Sequence, residues 1–535
     1  MKGSAPWTER WTAWHAAVLL GLISLVYRNG LRSVYFGAEE EDYGNLGLIL
    51  GTLQSGFTYV ETQHMPLFTS LAAALTAVTA DAEAGGEFIA LVSGSLAVAT
   101  LTWIGWRWLH PATGLLAGLF FTFHPDAALH AATPLRISTF VFLCLAGIAL
   151  VGERRPIRGG LLLSLAFLTR FEVTFTLLPA LALLTGVRRT RGNAIGTGLL
   201  ATTVGGWALY YRSVEGTYRF WGDVVTRTTD GAASMLHPGT VWGVMTGMLP
   251  EHLGYLLAIA VPFGAVAIAR SHGKQQEQRR WLLLCGASVV GFFCLTILLS
   301  SYAPDHNLFW KWSVSSLPFL LLAGCHAFVL LGSAVWNRLG ETDAIGPRRL
   351  TPLALTVALG LGSVAADYTG VTRSQLERSA QWYGTQVNLM GWVEANYPPD
   401  VILVADNIPA TWLSRIENDR HVIRWSAEPT EHPPSPDEGP SWVPPGLTRG
   451  EFGSWLIDNK VSLVIVFAEN NRGSLTKAPW LADLIPQTLG SAHLQPIARE
   501  EGYGFIAWQV RGSGAPQHPS GLPPTDAGGI DVVMQ

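Results

Sequence analysis

Four carboxylates stand side by side at Glu39-Glu40-Glu41-Asp42, with Tyr43 next, just after the first long apolar segment of the chain (residues 14–29). Each acid at the centre of a membrane helix costs about 3 kcal/mol, so four would oppose burial by roughly 10 kcal/mol. The run is therefore predicted at a water interface, where it can supply a general base or a ligand for a cation. The cationic side chains singled out are Lys311, in Phe309-Trp310-Lys311-Trp312, then Arg170, Arg212 and His64. The stretch 212–250, with Arg212, Arg219, Trp221 and Arg227, has the length and composition of a substrate loop.

Each of these residues also has a plainer role open to it. The acids can be a solvated helix flank, and His64 before Pro66 can satisfy a helix end. Arg170 with Glu172 can be a structural ion pair. Lys311 can snorkel to the interface beside Trp310 and Trp312.

The elements that must position these groups are mostly membrane helices. Of 535 residues 49% are hydrophobic and 14% charged, against about a quarter charged in soluble domains. Apolar stretches long enough to approach a hydrocarbon core about 30 Å thick recur from Trp14 to Ala366, which predicts an α-helical polytopic bundle of about 11–13 spans. The first, Trp14 to Tyr27, has no small-residue cleavage site after it and reads as a signal anchor. Basic clusters at Arg154, Arg155 and Arg158, at Arg188, Arg189 and Arg191, at Arg270, Lys274, Arg279 and Arg280, and at Arg338, Arg348 and Arg349 mark cytoplasmic loops. The first loop (30–65), the stretches 212–250 and 301–308, and all that follows the last span near 350–366 are then external. Between Pro66 and Val151 this needs an odd number of crossings, yet four apolar stretches are present (66–80, 87–106, 113–124, 134–151). One of them must not cross, and the sequence does not say which.

Cys144, Cys285, Cys294 and Cys325 all lie in apolar stretches and read as small hydrophobes, with no disulfide or Cys/His metal spacing. Nucleic-acid binding has no support, because topology accounts for the arginine clusters. After residue 377 the pattern changes. Trp382–Asn396 and Glu451–Asn459 read as helices, the second capped by Thr448, and the runs 401–404, 421–424 and 462–467 read as strands. A membrane domain (1–377) is thus predicted to precede an external α/β domain (378–511), with a Pro-rich loop at 429–445 and a disordered tail (512–535).

Several separated motifs together resemble the GT-C superfamily of integral-membrane glycosyltransferases, in the branch of protein O-mannosyltransferases and lipid A aminoarabinose transferases. They are Glu39-Glu40-x-x-Tyr43 after the first span, His64-Met65-Pro66-Leu67-Phe68, the block Gly160 to Glu172 ending at Pro179, and Phe309-Trp310-Lys311-Trp312 before Leu317-Pro318. The chain departs from the family pattern in three places. Glu39 stands where Asp is usual, with Glu40, Glu41 and Asp42 offering other registers for the base. The late Arg-Tyr becomes Lys311-Trp312. The second external loop reads Thr133-Pro134-Leu135-Arg136-Ile137-Ser138, with only Asp126 near it as an acid.

The resemblance implies an enzyme of the cell envelope, in the inner membrane, that moves a sugar from a polyprenyl-phosphate donor to a hydroxyl of a lipid, glycan or protein by a single inverting displacement. It implies no cofactor. The acid run is able to hold a divalent cation, although it has no Asp-x-Asp element. The rival classes are a secondary transporter, which internal repeats and midplane charges would favour, and a non-catalytic membrane scaffold.

Overall fold

The computed structural model describes residues 7–34, 48–49, 52–53, 56, 65–170, 191–215, 278–288, 307–339, 397, 402–405, 422–425, 442–443, 447–467, 494–499 and 505–510. The chain divides into two compact units, Met1–Val34 with Gly51–Gln375 and Tyr35–Leu50 with Leu376–Gln535. The predicted helix 382–396, the Pro-rich loop except Trp442–Val443, the last span and the tail lie outside the described residues, and Trp442–Val443 forms a short strand rather than loop.

Prolines punctuate the first unit. The described helices are α1 (Trp7–Val34), α2 (Pro66–Thr79), α3 (Ala82–Ile104), α4 (Pro111–Phe123), α5 (Pro125–Ala132), α6 (Ile137–Gly152), α7 (Pro156–Phe167), α8 (Arg191–Glu215) and α9 (Asn307–Leu339). Four of them open with proline at the first position, where a missing N–H costs nothing and φ is already helical. Asp81 caps α3 by accepting the Ala84 N–H at 3.0 Å. His110 caps α4 through Nδ1, which accepts the Ala112 N–H at 3.2 Å. Within these helices the hydroxyls of Thr76, Ser95, Thr102, Thr122 and Ser164 donate to the carbonyl four residues back, so these donors are not left bare in a lipid-like interior.

Helix α1 shows the sidedness expected of a span. Trp14, Val18, Leu22 and Val26 are exposed, Val26 by 74%, whereas Ala13, Ala17, Leu20, Ser24 and Arg28 are buried. Large apolar side chains outside and small or polar ones inside is the reverse of a soluble helix, and suits a helix whose outer face meets lipid. The centre of the unit is apolar: Leu101, Ile104, Leu116, Phe140 and Phe167 are all at most 1% exposed. Against lipid as solvent such packing stabilises through close van der Waals contact rather than through release of water.

Ion pairs and ring contacts tell the two ends of the unit apart. Arg32, near the end of α1, pairs with Glu87 near the start of α3. At the far end of α3 a π turn (Gly105–Leu109) carries Arg107, 3.7 Å from Glu153, and Trp108, stacked on Trp281 with ring centroids 4.0 Å apart. Glu153 adjoins Arg154 and Arg155, and Trp281 follows Arg279 and Arg280, so this is the end with the arginine-rich loops.

Helix α2 leads into α3 at the opposite end, where Ala80, closing α2 at φ 58°, passes through Asp81 into α3. Its start is tied to α7, the Leu67 N–H donating to the Leu168 carbonyl (2.9 Å) just past the end of that helix. The 14 residues of α2 and the 13 of α4 are both shorter than a full crossing, whereas α3 with its π turn is long and apolar enough for one. Helices α5 and α6 meet at 110° across a four-residue break.

In the second unit six strands form one sheet in the order β3-β2-β1-β4-β6-β5: β1 (Ile402–Ala405), β2 (Val422–Trp425), β3 (Trp442–Val443), β4 (Val461–Phe467), β5 (Leu494–Arg499) and β6 (Phe505–Val510). The first four strands run parallel, and β6 and β5 add an antiparallel hairpin. Three of the six, β3, β5 and β6, have no counterpart among the runs predicted from sequence. Pro496 sits in the edge strand β5 beside a register shift, where its absent N–H does no harm. Helix α10 (Arg449–Asp458) carries a full capping box between Thr448 and Glu451, which also holds the Glu451 carboxyl below its ordinary range.

Helices α7 and α8 cross closely, and a Cβ on Gly160 would lie 2.4 Å from the Gly196 carbonyl oxygen and 2.6 Å from its Cα. Gly160→Ala should force the backbones apart and cost about 1–3 kcal/mol. Gly205→Ala, with open space around it, should be neutral or mildly stabilising. Thermal unfolding of the detergent-purified variants separates the two outcomes.

Candidate functional site

Of the residues singled out for chemistry, Glu39, Glu40, Glu41, Asp42, His64, Arg219, Trp221 and Arg227 lie outside the described residues. Arg170 is 8% exposed and follows the end of α7, its N–H donating to the Ala166 carbonyl. The Leu67 to Leu168 hydrogen bond seats the Met65-Pro66-Leu67 element beside Leu168-Thr169-Arg170, so two motifs a hundred residues apart meet. Arg212 is exposed in the last turn of α8.

Lys311 belongs to the N-terminal part of the 33-residue helix α9, where helix dipoles favour anions. It precedes His326 by about 22 Å of helix, and His326 Nδ1 lies 3.2 Å from Thr113 Oγ1 at the start of α4, toward the arginine-rich loops. The backbone of Lys311 therefore lies toward the other end, with Arg170, Arg212 and the end of α1.

At that same end the structure shows a polar group that sequence reasoning passed over. Helix α5 is only eight residues long, yet His124, Asp126, His130, Thr133 and Arg136 on and around it are all buried. Asp126 occupies the first turn, where the helix dipole favours a carboxylate. Ser138 Oγ donates to the His130 carbonyl at 3.2 Å, and Thr139 Oγ1 donates to Ser93 Oγ at 3.0 Å. The residues 125–133 read as a loop between two apolar stretches. The available signal was four ionisable side chains (His124, Asp126, His130 and Arg136) and two prolines (Pro125 and Pro134) inside an otherwise apolar run from 111 to 152.

One side chain binds this group to the rest of the bundle. Pro125 has no N–H, so the Phe121 carbonyl, four residues back, lacks its helical partner. Arg28 Nη2 supplies the missing bond at 2.8 Å, and its guanidinium lies 5.4 Å from the Phe121 ring centroid. Arg28 is fully buried, and Nη1 fits only because position 94 is glycine: a Cβ there would lie 2.5 Å from Nη1 and 2.6 Å from Ala131 Cβ. Nε and Nη1 make no hydrogen bond, and neither does Ser24 Oγ one turn earlier on the same face.

The architecture has solved counterparts. ArnT from Cupriavidus metallidurans bound to undecaprenyl phosphate aligns with a TM-score of 0.61 at 13% identity, over 94% of this chain and 99% of that one. Its apo state gives 0.59 at 14% identity, and the Archaeoglobus fulgidus oligosaccharyltransferase in the apo form gives 0.53 at 12%, over 86% of this chain and 70% of that one. This is a GT-C fold. No family model and no curated protein sequence matches the chain. The GT-C likeness at these identities is one of fold, and it establishes a multi-span membrane protein. Helix α5 lies between α4 and α6, at the end of the first unit where α1 finishes.

If Arg28 replaces the hydrogen bond that Pro125 denies to Phe121, the two positions are coupled. Arg28→Met should destabilise the protein by about 1–3 kcal/mol more with Pro125 present than in a Pro125→Ala background, where the alanine N–H restores the donor. Additive effects in the thermal unfolding of the four proteins would separate Arg28 from the helix break.

Proposed function

We propose that the protein is a membrane glycosyltransferase that takes a sugar from a polyprenyl-phosphate donor and passes it to a hydroxyl of a lipid, glycan or protein at the external face. The reading is supported above all by the fold likeness, along nearly the whole chain, to ArnT, whose structure holds undecaprenyl phosphate. The motif order after α1, before α2 and at the start of α9 agrees with it.

The reaction asks for two kinds of group. A carboxylate of Glu39, Glu40, Glu41 or Asp42 takes the proton of the acceptor hydroxyl as its oxygen attacks the anomeric carbon, for about 10² to 10⁴ in rate. The bond from that carbon to the phosphate oxygen breaks with its electron pair going to the phosphate, and a cation holds the resulting charge. Lys311 takes that part, with Arg170, Arg212 and His64 as further phosphate contacts. Arg219, Trp221 and Arg227 belong to a loop that covers the substrate. One displacement inverts the anomeric centre and needs no covalent enzyme intermediate. The domain 378–511 faces outside and serves acceptor recognition or closure of the site, because its sequence holds no nucleophile, metal set or phosphate loop.

Glu39→Gln, Glu40→Gln, Glu41→Gln and Asp42→Asn, made singly, should all insert normally, with at least one losing about 10²-fold or more in turnover. Lys311→Ala should lose donor use, while Lys311→Arg keeps part of it. Full activity in all four acid variants removes the base from this run, and wild-type activity in Lys311→Ala assigns that residue to the interface.

A further inference from the structure

Three arginines line one open depression. Arg154, Arg155 and Arg158, all exposed, border about 590 Å³ with Pro156, Ile157 and Gly192 where the α6–α7 turn meets the start of α8. The positive-inside bias accounts for cations in such a loop, and their closeness in sequence gathers them at one depression. The adjacent acid, Glu153, is engaged by Arg107 at 3.7 Å, and among the described residues none of the three arginines has a carboxylate partner. Mutual repulsion without a counter-charge is unfavourable, and an anion between them relieves it.

The backbone adds to the field. Helices α7 and α8 both present their N-terminal ends here, held together by the close approach of Gly192 and Gly196 to Pro156. Arg154 itself is held at φ 62°, a conformation that a residue with a Cβ adopts at some cost. From Ile157 in the lining to Leu161 one turn on, one face of α7 is 45% and 51% exposed at these residues. A cationic depression at the interfacial end of a helix, continued by an apolar rail along that helix, is complementary to a phosphate head group with an acyl chain attached.

We propose that this depression is a binding site for an anionic phospholipid, with the phosphodiester between Arg154, Arg155 and Arg158 and an acyl chain along Ile157 and Leu161. The site is at the arginine-rich end, opposite the end that holds Arg170 and Arg212, and does not depend on the assignment of residues to glycosyl transfer. A lipid held here ties the α6–α7 turn to α8.

Delipidated protein in detergent, titrated with dioleoylphosphatidylglycerol or dioleoylphosphatidylcholine and read by native mass spectrometry and by thermal midpoint, tests the proposal. The phosphatidylglycerol adduct should persist and raise the midpoint, the phosphatidylcholine adduct should do neither, and millimolar inorganic phosphate should not displace the lipid. The triple variant R154Q/R155Q/R158Q should bind phosphatidylglycerol on the order of 100-fold more weakly. The pair R279Q/R280Q, two exposed arginines at the same end that do not line the depression, should bind like the wild type. Equal retention of both lipids by the wild type overturns the proposal without any variant being needed. Equal loss in the two sets of variants reduces the effect to diffuse surface charge and overturns it too, and full displacement by phosphate makes the site one for a free anion instead.

Discussion

A carbonyl without a donor organises one end of this molecule. Proline at position 125 ends α4 and starts α5, leaving the Phe121 carbonyl unpaired in a region where water is scarce. The guanidinium of Arg28, reaching across from α1, closes that gap at 2.8 Å. Because an unsatisfied carbonyl in such surroundings costs on the order of 1–3 kcal/mol, the break in the helix and the buried arginine are two halves of one solution. Gly94 belongs to it as well, since any larger residue would occupy the space of Nη1. The 110° bend between α5 and α6 then brings His124, Asp126, His130 and Arg136 inside the protein rather than into a surface loop.

The rest of the first unit follows from the same shortage of water. Buried hydroxyls such as those of Thr76, Thr102 and Thr122 are satisfied within their own helices, small residues admit close crossings, and large apolar side chains are turned outward on α1. The two ends carry different chemistry. One has an aromatic and arginine layer built on Trp108, Trp281 and the Arg107–Glu153 pair. The other gathers the end of α1, the end of α2, helix α5, Arg170 and Arg212. That asymmetry sits better with a reaction at one face than with a path through the middle.

Much of this was legible in the sequence because membrane helices are written in long apolar runs and prolines mark their starts. Pro66, Pro111, Pro125 and Pro156 each open a helix, and Thr448 with Glu451 gives a capping box that residue type and spacing announce. The resemblance to GT-C enzymes, carried by motifs that are weak one by one, agrees with the fold. What the sequence could not give depended on contacts between distant segments. Nothing local to Leu67 announces its hydrogen bond to the Leu168 carbonyl a hundred residues on. Nothing near Arg28 announces a partner 93 residues away. Strand β5 was missed because Pro496 and the polar residues of 494–499 dilute the alternation that marks a strand.

The central claim is that this fold carries out glycosyl transfer from a lipid phosphate. It is tested most directly by supplying the purified, reconstituted protein with polyprenyl-phosphate sugars carrying a labelled anomeric carbon, together with an envelope lipid extract as acceptor. Products are then resolved by mass spectrometry and NMR. The account predicts free polyprenyl phosphate and a glycosylated acceptor in equal amounts, with the anomeric configuration inverted. Retention of configuration would contradict the single displacement, and donor crossing the membrane intact with no acceptor modified would contradict the transferase itself.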